Sequence, residues 1–332
     1  MIPAEMILFM NIGNKGATCM IHSFQQGSPE DIGIPTERFE ALEDQLKKSG
    51  VETFTLCRRG IVGYQYENHR GIIDQKHKIN SVTKSVLSSL VGIALEQGRL
   101  RSLDEPVSEI LANAANAPSE LTVRHLLTMT SGLSRKQWEA YTEEELPLSA
   151  IWSGVPSGEP GEKMIYNNAD SQLLSAVIEA RTNMSLQAFA DQYLFQPLGI
   201  TDYSWETDHN GITLGGYGLY LSAADLMRYG SVLMNRGRRN DTEVIPESWL
   251  ETAFHSHTNT DKPGQSYGFH WWINEGGNGK QPRLVYAAGR GGKFLILEPV
   301  SGVTAVITSV LPQRKSLHPF QWFLRYIVPE IK

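Results

Sequence analysis

Residues 81–98 read SVTKSVLSSLVGIALEQG. Apolar side chains run almost unbroken through this stretch, and Gly98 stands where a helix commonly stops. The pattern predicts a buried helix, yet Lys84 carries the only charge between Ser81 and Leu95. Ser81 and Lys84 are three residues apart, so a helix puts them on one face. A serine hydroxyl is a poor nucleophile and needs a base within hydrogen-bond reach. A lysine becomes that base once burial lowers its pKa, because a low-dielectric site disfavours the ammonium. A serine on the first turn also lies beside backbone N–H groups that can face a developing oxyanion. The competing reading is a serine N-cap followed by a lysine that snorkels to solvent. The motif alone does not separate the two.

The chain has 332 residues, 41% of them hydrophobic and 20% charged, which is globular composition. Net charge is −6. No lysine- or arginine-rich run stands out, which argues against nucleic acid as a partner. The apolar stretches are far shorter than the roughly 20 residues that span a bilayer, so no membrane span is expected. Cys19 and Cys57 are the two cysteines; they make no disulfide framework, and a reduced compartment is the simpler reading. The apolar patch at residues 6–10 follows no basic residue and precedes no small-residue cleavage site, so it makes a poor signal peptide. The expectation is a cytoplasmic protein. Met20 offers a second possible start.

Residues 1–30 read as an N-terminal arm. IPTERFEALEDQLKKSG (34–50) places Phe39, Leu42 and Leu46 at helical spacing, and VETFTLCRRGIVGYQYEN (51–68) reads as two strands about Arg59-Gly60. LTVRHLLTMTSGL (121–133) predicts a short helix capped by Thr122 and ended by Gly132. Two further helices are expected at 166–183 and 185–199, and a third after Ser222, whose spacing to Asp225 resembles a capping box. YGFHWWIN (267–274), RLVYAAG (283–289) and KFLILEPVSGVTAVITSV (293–310) read as strands, the last a hairpin turned at residues 299–302. An amphipathic helix closes the chain. This order predicts an α+β protein with an antiparallel sheet built from both chain ends. Residues 31–98 and 215–332 would form the discontinuous sheet domain, residues 99–214 a mostly helical inserted domain, and the active site would lie between them.

INSVTKSVLSSLVGIALEQGRLRSLDEPVSEIL (79–111) resembles the active-serine segment of the serine hydrolase superfamily of class C β-lactamases, DD-peptidases and related esterases and amidases. LTVRHLLTMTSGL resembles the second landmark of that superfamily. GEPGEKMIYNNADSQLLSAVIE (158–179) is similar to its Y-x-N motif, here Tyr166-Asn167-Asn168. FQPLGITDYSW, GGYGLYLSAADLMRYG and YGFHWWIN follow in matching order, so the resemblance spans about residues 35–330. It implies a β-lactamase/transpeptidase-like fold, penicillin-binding-protein-like in outline. It implies that Ser81 is acylated, that Lys84 assists as base, and that Tyr166 relays protons as a phenolate stabilised by Lys84. Asn168 would orient substrate and the lysine. Ester or amide cleavage through an acyl-enzyme follows, on a small-molecule substrate, with no metal and no cofactor. Oligomeric state stays open.

The third motif departs from the penicillin-recognising pattern. YAAGRGGKFLILEP (286–299) has no lysine or histidine before Gly289 to bind a substrate carboxylate. The departure looks more like the esterase and 6-aminohexanoate-dimer hydrolase branch, and implies weak or absent β-lactamase activity. The oxyanion donors would be the backbone N–H groups of Ser81 and Arg290. Gly289, Gly291 and Gly292 mark the third-motif strand, either for close backbone approach to a ligand or as a tight bend. Two alternatives remain: a true class C-type β-lactamase or DD-peptidase, and a homologue that binds ligand without catalysis.

Other signals are weaker. GQSYG (264–268) fits G-x-S-x-G, but that elbow needs a strand before it and a helix after it, and Ser266 has neither in the pattern. His255 and His257 form an H-x-H pair with no third ligand at a telling spacing. LGGYG (214–218) reads as a turn. Of Trp271, Trp272, Trp322 and Phe323, most are expected in the core, with one tryptophan a candidate for the pocket wall.

Overall fold

The structure is a computed structural model and describes residues 24–111, 117–152, 157–276 and 283–331. Cys19, Met20 and the first 23 residues of the expected arm lie outside the described residues. The strands are β1 (Gln25–Gln26), β2 (Val51–Arg58), β3 (Ile61–Glu67), β4 (Lys76–Lys78), β5 (Ser204–Trp205), β6 (Leu219–Ser222), β7 (Arg238–Arg239), β8 (Thr242–Glu243), β9 (Thr258–Asn259), β10 (Gln265–Tyr267), β11 (Trp272–Asn274), β12 (Leu284–Gly289), β13 (Lys293–Glu298) and β14 (Val303–Ser309). The helices are α1 (Thr36–Lys47), α2 (Thr83–Glu96), α3 (Val107–Ile110), α4 (Val123–Leu127), α5 (Arg135–Glu143), α6 (Ala169–Thr182), α7 (Leu186–Ala190), α8 (Gln196–Leu198), α9 (Ala223–Met234), α10 (Glu247–Ala253) and α11 (His318–Trp322).

Among the described residues the main sheet runs β1-β3-β2-β14-β13-β12-β11-β10-β9. Every pairing in it is antiparallel except β1 with β3. Local turns set most of this order. Arg59 (φ 51°) and Gly60 (φ 84°) close the β2–β3 hairpin in the primed geometry that matches strand twist. The long-range step is β2 against β14, from Arg58↔Val303 to Thr53↔Thr308, which joins the two ends of the chain.

β13 is buried at every position, because helices cover both faces of the sheet. Phe294 and Ile296 face a cluster with Phe39 and Leu42 of α1 and with Phe320 and Phe323 near the C-terminus. Leu295 and Leu297 face the larger cluster, with α2, α6 and α9. Side-chain alternation along a strand produces this split. α2 is buried on every side and lies in the middle of the molecule; Thr83 through Ala94 are all buried. Its polar groups mostly find partners. Tyr229 Oη donates to the Ser85 carbonyl (2.9 Å) and sits 2.7 Å from Ser89 Oγ, and Ser85 Oγ donates to the His270 carbonyl (2.8 Å).

Three local expectations are corrected. α4 does start at the Thr122 cap, but it ends in a Schellman turn at Met129 (φ 58°), before the chain reaches Gly132. Thr130 N–H bonds His125 O and Met129 N–H bonds Leu126 O, which satisfies the helix-end carbonyls three residues earlier. Residues 267–274 are a hairpin rather than one strand. His270 (φ 61°) reverses the chain, and Gly268 packs directly on the Ala253 carbonyl, where a Cβ has no room. The segment before Ser222 is strand β6, not only a turn into α9. The small sheet β4-β6-β5 ties the chain before Ser81 to the chain after Gly216.

Candidate active site

Ser81 sits in the 3₁₀ turn Asn80–Val82 that runs straight into α2. A cleft of about 550 Å³ opens over it, walled by Trp138, Tyr166, Trp272, Gly289 and Arg290 among others. One turn further, Lys84 is 1% exposed. Its Nζ lies 3.5 Å from Ser81 Oγ, at the outer limit of a hydrogen bond. Contacts of this kind commonly tighten once substrate binds. The same Nζ donates to Asn168 Oδ1 (2.6 Å) and to the Gly216 carbonyl (2.7 Å). The snorkelling alternative is therefore excluded: the amine is held inside by two acceptors.

Local structure explains how Asn168 comes to serve Lys84. Asn168 holds the N-cap position of α6, where an asparagine commonly bonds the amides of its own helix. Its side chain makes no such bond. Asn167 takes that duty, accepting from Asp170 N–H at 2.8 Å, and leaves Asn168 Oδ1 for Lys84. Gly216 can approach because it lacks a Cβ, which would lie 2.8 Å from Asn168 Oδ1 and 3.0 Å from Lys84 Nζ.

Burial pushes Lys84 down to about 7, with the Asp170 charge partly opposing. Asp170 is fully buried; desolvation pushes it up to about 8, against the pull of Ser131, Asn167 and Lys84. Ser131 Oγ donates to Asp170 Oδ1. Tyr166 Oη is pushed up to about 12 by burial, with the Ser81 hydroxyl opposing. Burial thus works against the phenolate that the resemblance implies. Its ring stacks on Trp272 (centroids 5.4 Å apart), and Lys84 Nζ lies 5.1 Å from its centroid.

The third motif meets the Ser81 turn edge-on. Gly289, at the end of β12, packs against the Ile79 carbonyl, and a Cβ would clash there. Asn80, left-handed at φ 51°, donates from Nδ2 to the Arg290 carbonyl (2.7 Å). The Arg290 N–H has no acceptor among the described residues. Gly291 (φ 86°) and Gly292 (φ 83°) are not part of the strand and do not line the cleft. They form the tight bend into β13, held by Ser309 Oγ on the Gly292 carbonyl (2.7 Å) and by the Gly291 N–H on Ser316 Oγ (3.0 Å).

The rival motifs lie elsewhere. Ser266 is buried in β10 with its Oγ on Glu275 Oε1 (2.7 Å), and the segment after it is hairpin, not helix. His257 stacks on Phe269, and no group of three metal-ligating side chains occurs among the described residues. Trp271 and Phe323 are core; Trp272 is the tryptophan of that set that faces the cleft, joined by Trp138. Sequence reasoning missed Asp170, Ser131, Asn80 and the Gly216 carbonyl. Asp170 and Ser131 carried no signal of their own, since each stands among other polar residues. A backbone carbonyl carries none. Buried His270 was also missed. Its ring nitrogens lie 3.1 Å from the Lys84 carbonyl and 3.3 Å from the Leu126 carbonyl, and burial pushes it down to about 3, so it holds α2 as a neutral group.

Residues 41–324 match the β-lactamase family. The 6-aminohexanoate-dimer hydrolase of Paenarthrobacter ureafaciens is 24% identical over 314 residues, covering 85% of this chain and 78% of that one. The octameric penicillin-binding protein homologue from Pyrococcus abyssi superposes with a TM-score of 0.71 at 20% identity, covering 89% of this chain and 78% of that one. EstCE1, a hydrolase with promiscuous acyltransferase activity, superposes with a TM-score of 0.72 at 17% identity, covering 89% and 97%. The β-lactamase/transpeptidase-like architecture expected from the sequence is thus the observed one. Among the described residues no helix is long and apolar enough to cross a membrane. With the match extending over most of its length, the chain belongs to the β-lactamase family and is one of its hydrolases.

Proposed function

We propose that the protein cleaves an ester or amide bond of a small molecule through an acyl-enzyme on Ser81. The observation that carries this reading is the buried Lys84, lowered to about 7 and 3.5 Å from Ser81 Oγ. A lysine that loses its proton near neutral pH is a base suited to a serine hydroxyl. In the proposed cycle, Ser81 Oγ attacks the carbonyl carbon as Lys84 Nζ takes the hydroxyl proton. The backbone N–H groups of Ser81 and Arg290 receive the oxyanion. The intermediate collapses, and the proton passes from Lys84 by way of the Tyr166 phenol to the leaving oxygen or nitrogen. Water then attacks the ester on Ser81, giving up a proton to the same pair, which passes it to Ser81 Oγ as the acyl–Oγ bond breaks and the carboxylic acid leaves. No step calls for a metal or a cofactor. Asn168 and Gly216 fix Lys84 in place throughout.

The same proposal sets the active site between a sheet unit (31–98 and 215–332) and a helical unit (99–214). In support, Ser81 and Lys84 come from the first segment, Tyr166 and Asn168 from the helical stretch, and Gly289 and Arg290 from the returning sheet.

The test is hydrolysis of a short-chain p-nitrophenyl ester by the wild type and by Ser81→Ala, with folding checked by circular dichroism. Turnover by the wild type that Ser81→Ala lacks is the expected result. Equal turnover by both would remove Ser81 from the mechanism.

A further inference from the structure

α6 carries a polar stripe into the interior. Asn168 at its cap, then Gln172, Ser175 and Glu179, follow at helical spacing and share one face. Gln172 and Ser175 are completely buried. Past the cap, each member of the stripe reaches the same stretch of chain, residues 213–215. Glu179 Oε1 accepts from the Thr213 N–H (3.1 Å), Ser175 Oγ donates to the Thr213 carbonyl (2.6 Å), and Gln172 Oε1 accepts from the Gly215 N–H (3.0 Å). Gly215 lets the stretch lie flat on the helix, for a Cβ there would fall 2.0 Å from the Ser171 carbonyl.

The next residue is Gly216, whose carbonyl accepts from Lys84 Nζ at 2.7 Å. Among the described residues, the Gly215–Gly216 pair is hydrogen-bonded to Gln172 at one end, to Lys84 at the other, and to nothing else. The Gln172 amide has one possible orientation. An N–H only donates, so the amide oxygen faces Gly215, and Nε2 then donates to Asp208 Oδ2 (2.7 Å). Asp208 is fixed in turn. Its Oδ1 accepts from the N–H groups of Asn210 (2.9 Å) and Ile212 (3.0 Å), and Tyr141 Oη donates to Oδ2. Both acceptors that hold the lysine, Asn168 Oδ1 and the Gly216 carbonyl, thus hang from one face of α6.

Resting on the reading of Lys84 as the base for Ser81, we infer that Gln172 is a positioning residue for that base. It makes no hydrogen bond to either of them. It holds the Gly215–Gly216 peptide where the carbonyl meets Nζ, and with Asn168 it fixes where the amine points. A glutamine that merely satisfied its own buried amide would contribute stability and leave Lys84 unaffected. Acceptors on an amine favour its charged form, so loss of the Gly216 carbonyl lets burial lower the lysine further. The other titratable groups around Lys84 are Asp170, Tyr166 and His270, and none of them is hydrogen-bonded to Gln172.

Gln172→Met keeps the length of the side chain and removes both hydrogen bonds. Two quantities report on it. One is the ascending limb of kcat/KM against pH. The other is the titration of Lys84 itself, read by NMR on protein carrying isotope-labelled lysine and assigned by the resonance missing in Lys84→Arg. Both should move down by about half a pH unit or more, and kcat should fall about tenfold at nearly constant KM. Ser175→Ala cuts a bond of the same stripe two residues earlier in the held stretch. It should lower the melting temperature and move neither quantity.

Asp208→Asn covers the case in which Gln172→Met does not fold. Its oxygen stays on the two backbone N–H groups and its new amide nitrogen faces Gln172 Nε2, donor against donor, so Gln172 must leave Gly215. Of the acidic groups only Asp170 bears on Lys84, so the lost charge does not itself account for a shift. A lower Lys84 titration is again expected. A Lys84 titration unmoved in whichever variant folds, or moved equally by Ser175→Ala, would overturn the inference. Absence of ester turnover in the wild type would count against the acyl-enzyme reading alone, because the lysine titration is read without substrate.

Discussion

Asn80 Nδ2 donates to the Arg290 carbonyl over 2.7 Å, so the residue before Ser81 holds the residue that follows the third-motif glycine. Asn80 is left-handed, a conformation that asparagine tolerates better than most residues. The bond ties the Ser81 turn to the bend after β12 that carries the proposed second oxyanion donor. Asn80→Ala should lower kcat about 10- to 100-fold with little change in KM, within the range for loss of an oxyanion contact. Unchanged kcat in steady-state kinetics would mean that the two segments hold their places without the bond.

The pH profile should report Lys84. It must be neutral to accept the Ser81 proton, and burial holds its folded pKa near 7, below the ordinary 10.5. Activity should therefore be low in acid and rise as pH increases through about 7. Asp170 lies in the same buried group, so the limb belongs to the coupled pair. An ionised Asp170 raises Lys84. Asp170→Asn removes that charge and should move the ascending limb of kcat/KM to lower pH. A limb that stays in place or moves up would contradict the assignment.

Gly216→Ala tests the clamp on Lys84. The added methyl would lie 3.0 Å from Lys84 Nζ and 2.8 Å from Asn168 Oδ1, so the amine must shift. Gly216 is not in the left-handed region, so alanine brings no backbone strain. A kcat loss of about tenfold or more is expected at nearly unchanged melting temperature, since a misplaced base forfeits much of its effect.

Gly92→Ala tests the packing of α2. A Cβ at Gly92 would enter the Trp249 ring on α10. The helix cannot retreat, because it is buried on every side. Overpacking of this kind costs about 1–3 kcal/mol, which urea unfolding would measure. The same change in an exposed helix would stabilise it.

The sequence carried much of this molecule in local form. The β2–β3 and β13–β14 hairpins, α1 and α2 follow from short patterns whose turns and spacing lie within about twenty residues. So does the pairing of Ser81 with Lys84, which one helical turn dictates. The resemblance to a known family added Tyr166 and Asn168 at the positions where the structure brings them to the lysine. What escaped was set by contacts between distant segments. Met129 could end α4 only because neighbouring amides reach the right carbonyls. His270 breaks 267–274 into a hairpin where its backbone N–H donates to the Leu127 carbonyl and its own carbonyl accepts from Ser85 Oγ. Burial, which works against the phenolate implied for Tyr166, is a quantity that spacing does not encode. Asp170 is one of several polar residues at 167–172, and only its burial against Ser131 near Lys84 sets it apart.

The central claim is that Ser81 is the acylated nucleophile. The direct measurement is reaction of the protein with a fluorophosphonate, followed by intact mass and by sequencing of the modified peptide. A single adduct on Ser81, absent in Ser81→Ala and slowed severalfold in Lys84→Ala, is the predicted result. An adduct on Ser266 or another residue, with Ser81 unmodified, would contradict the account.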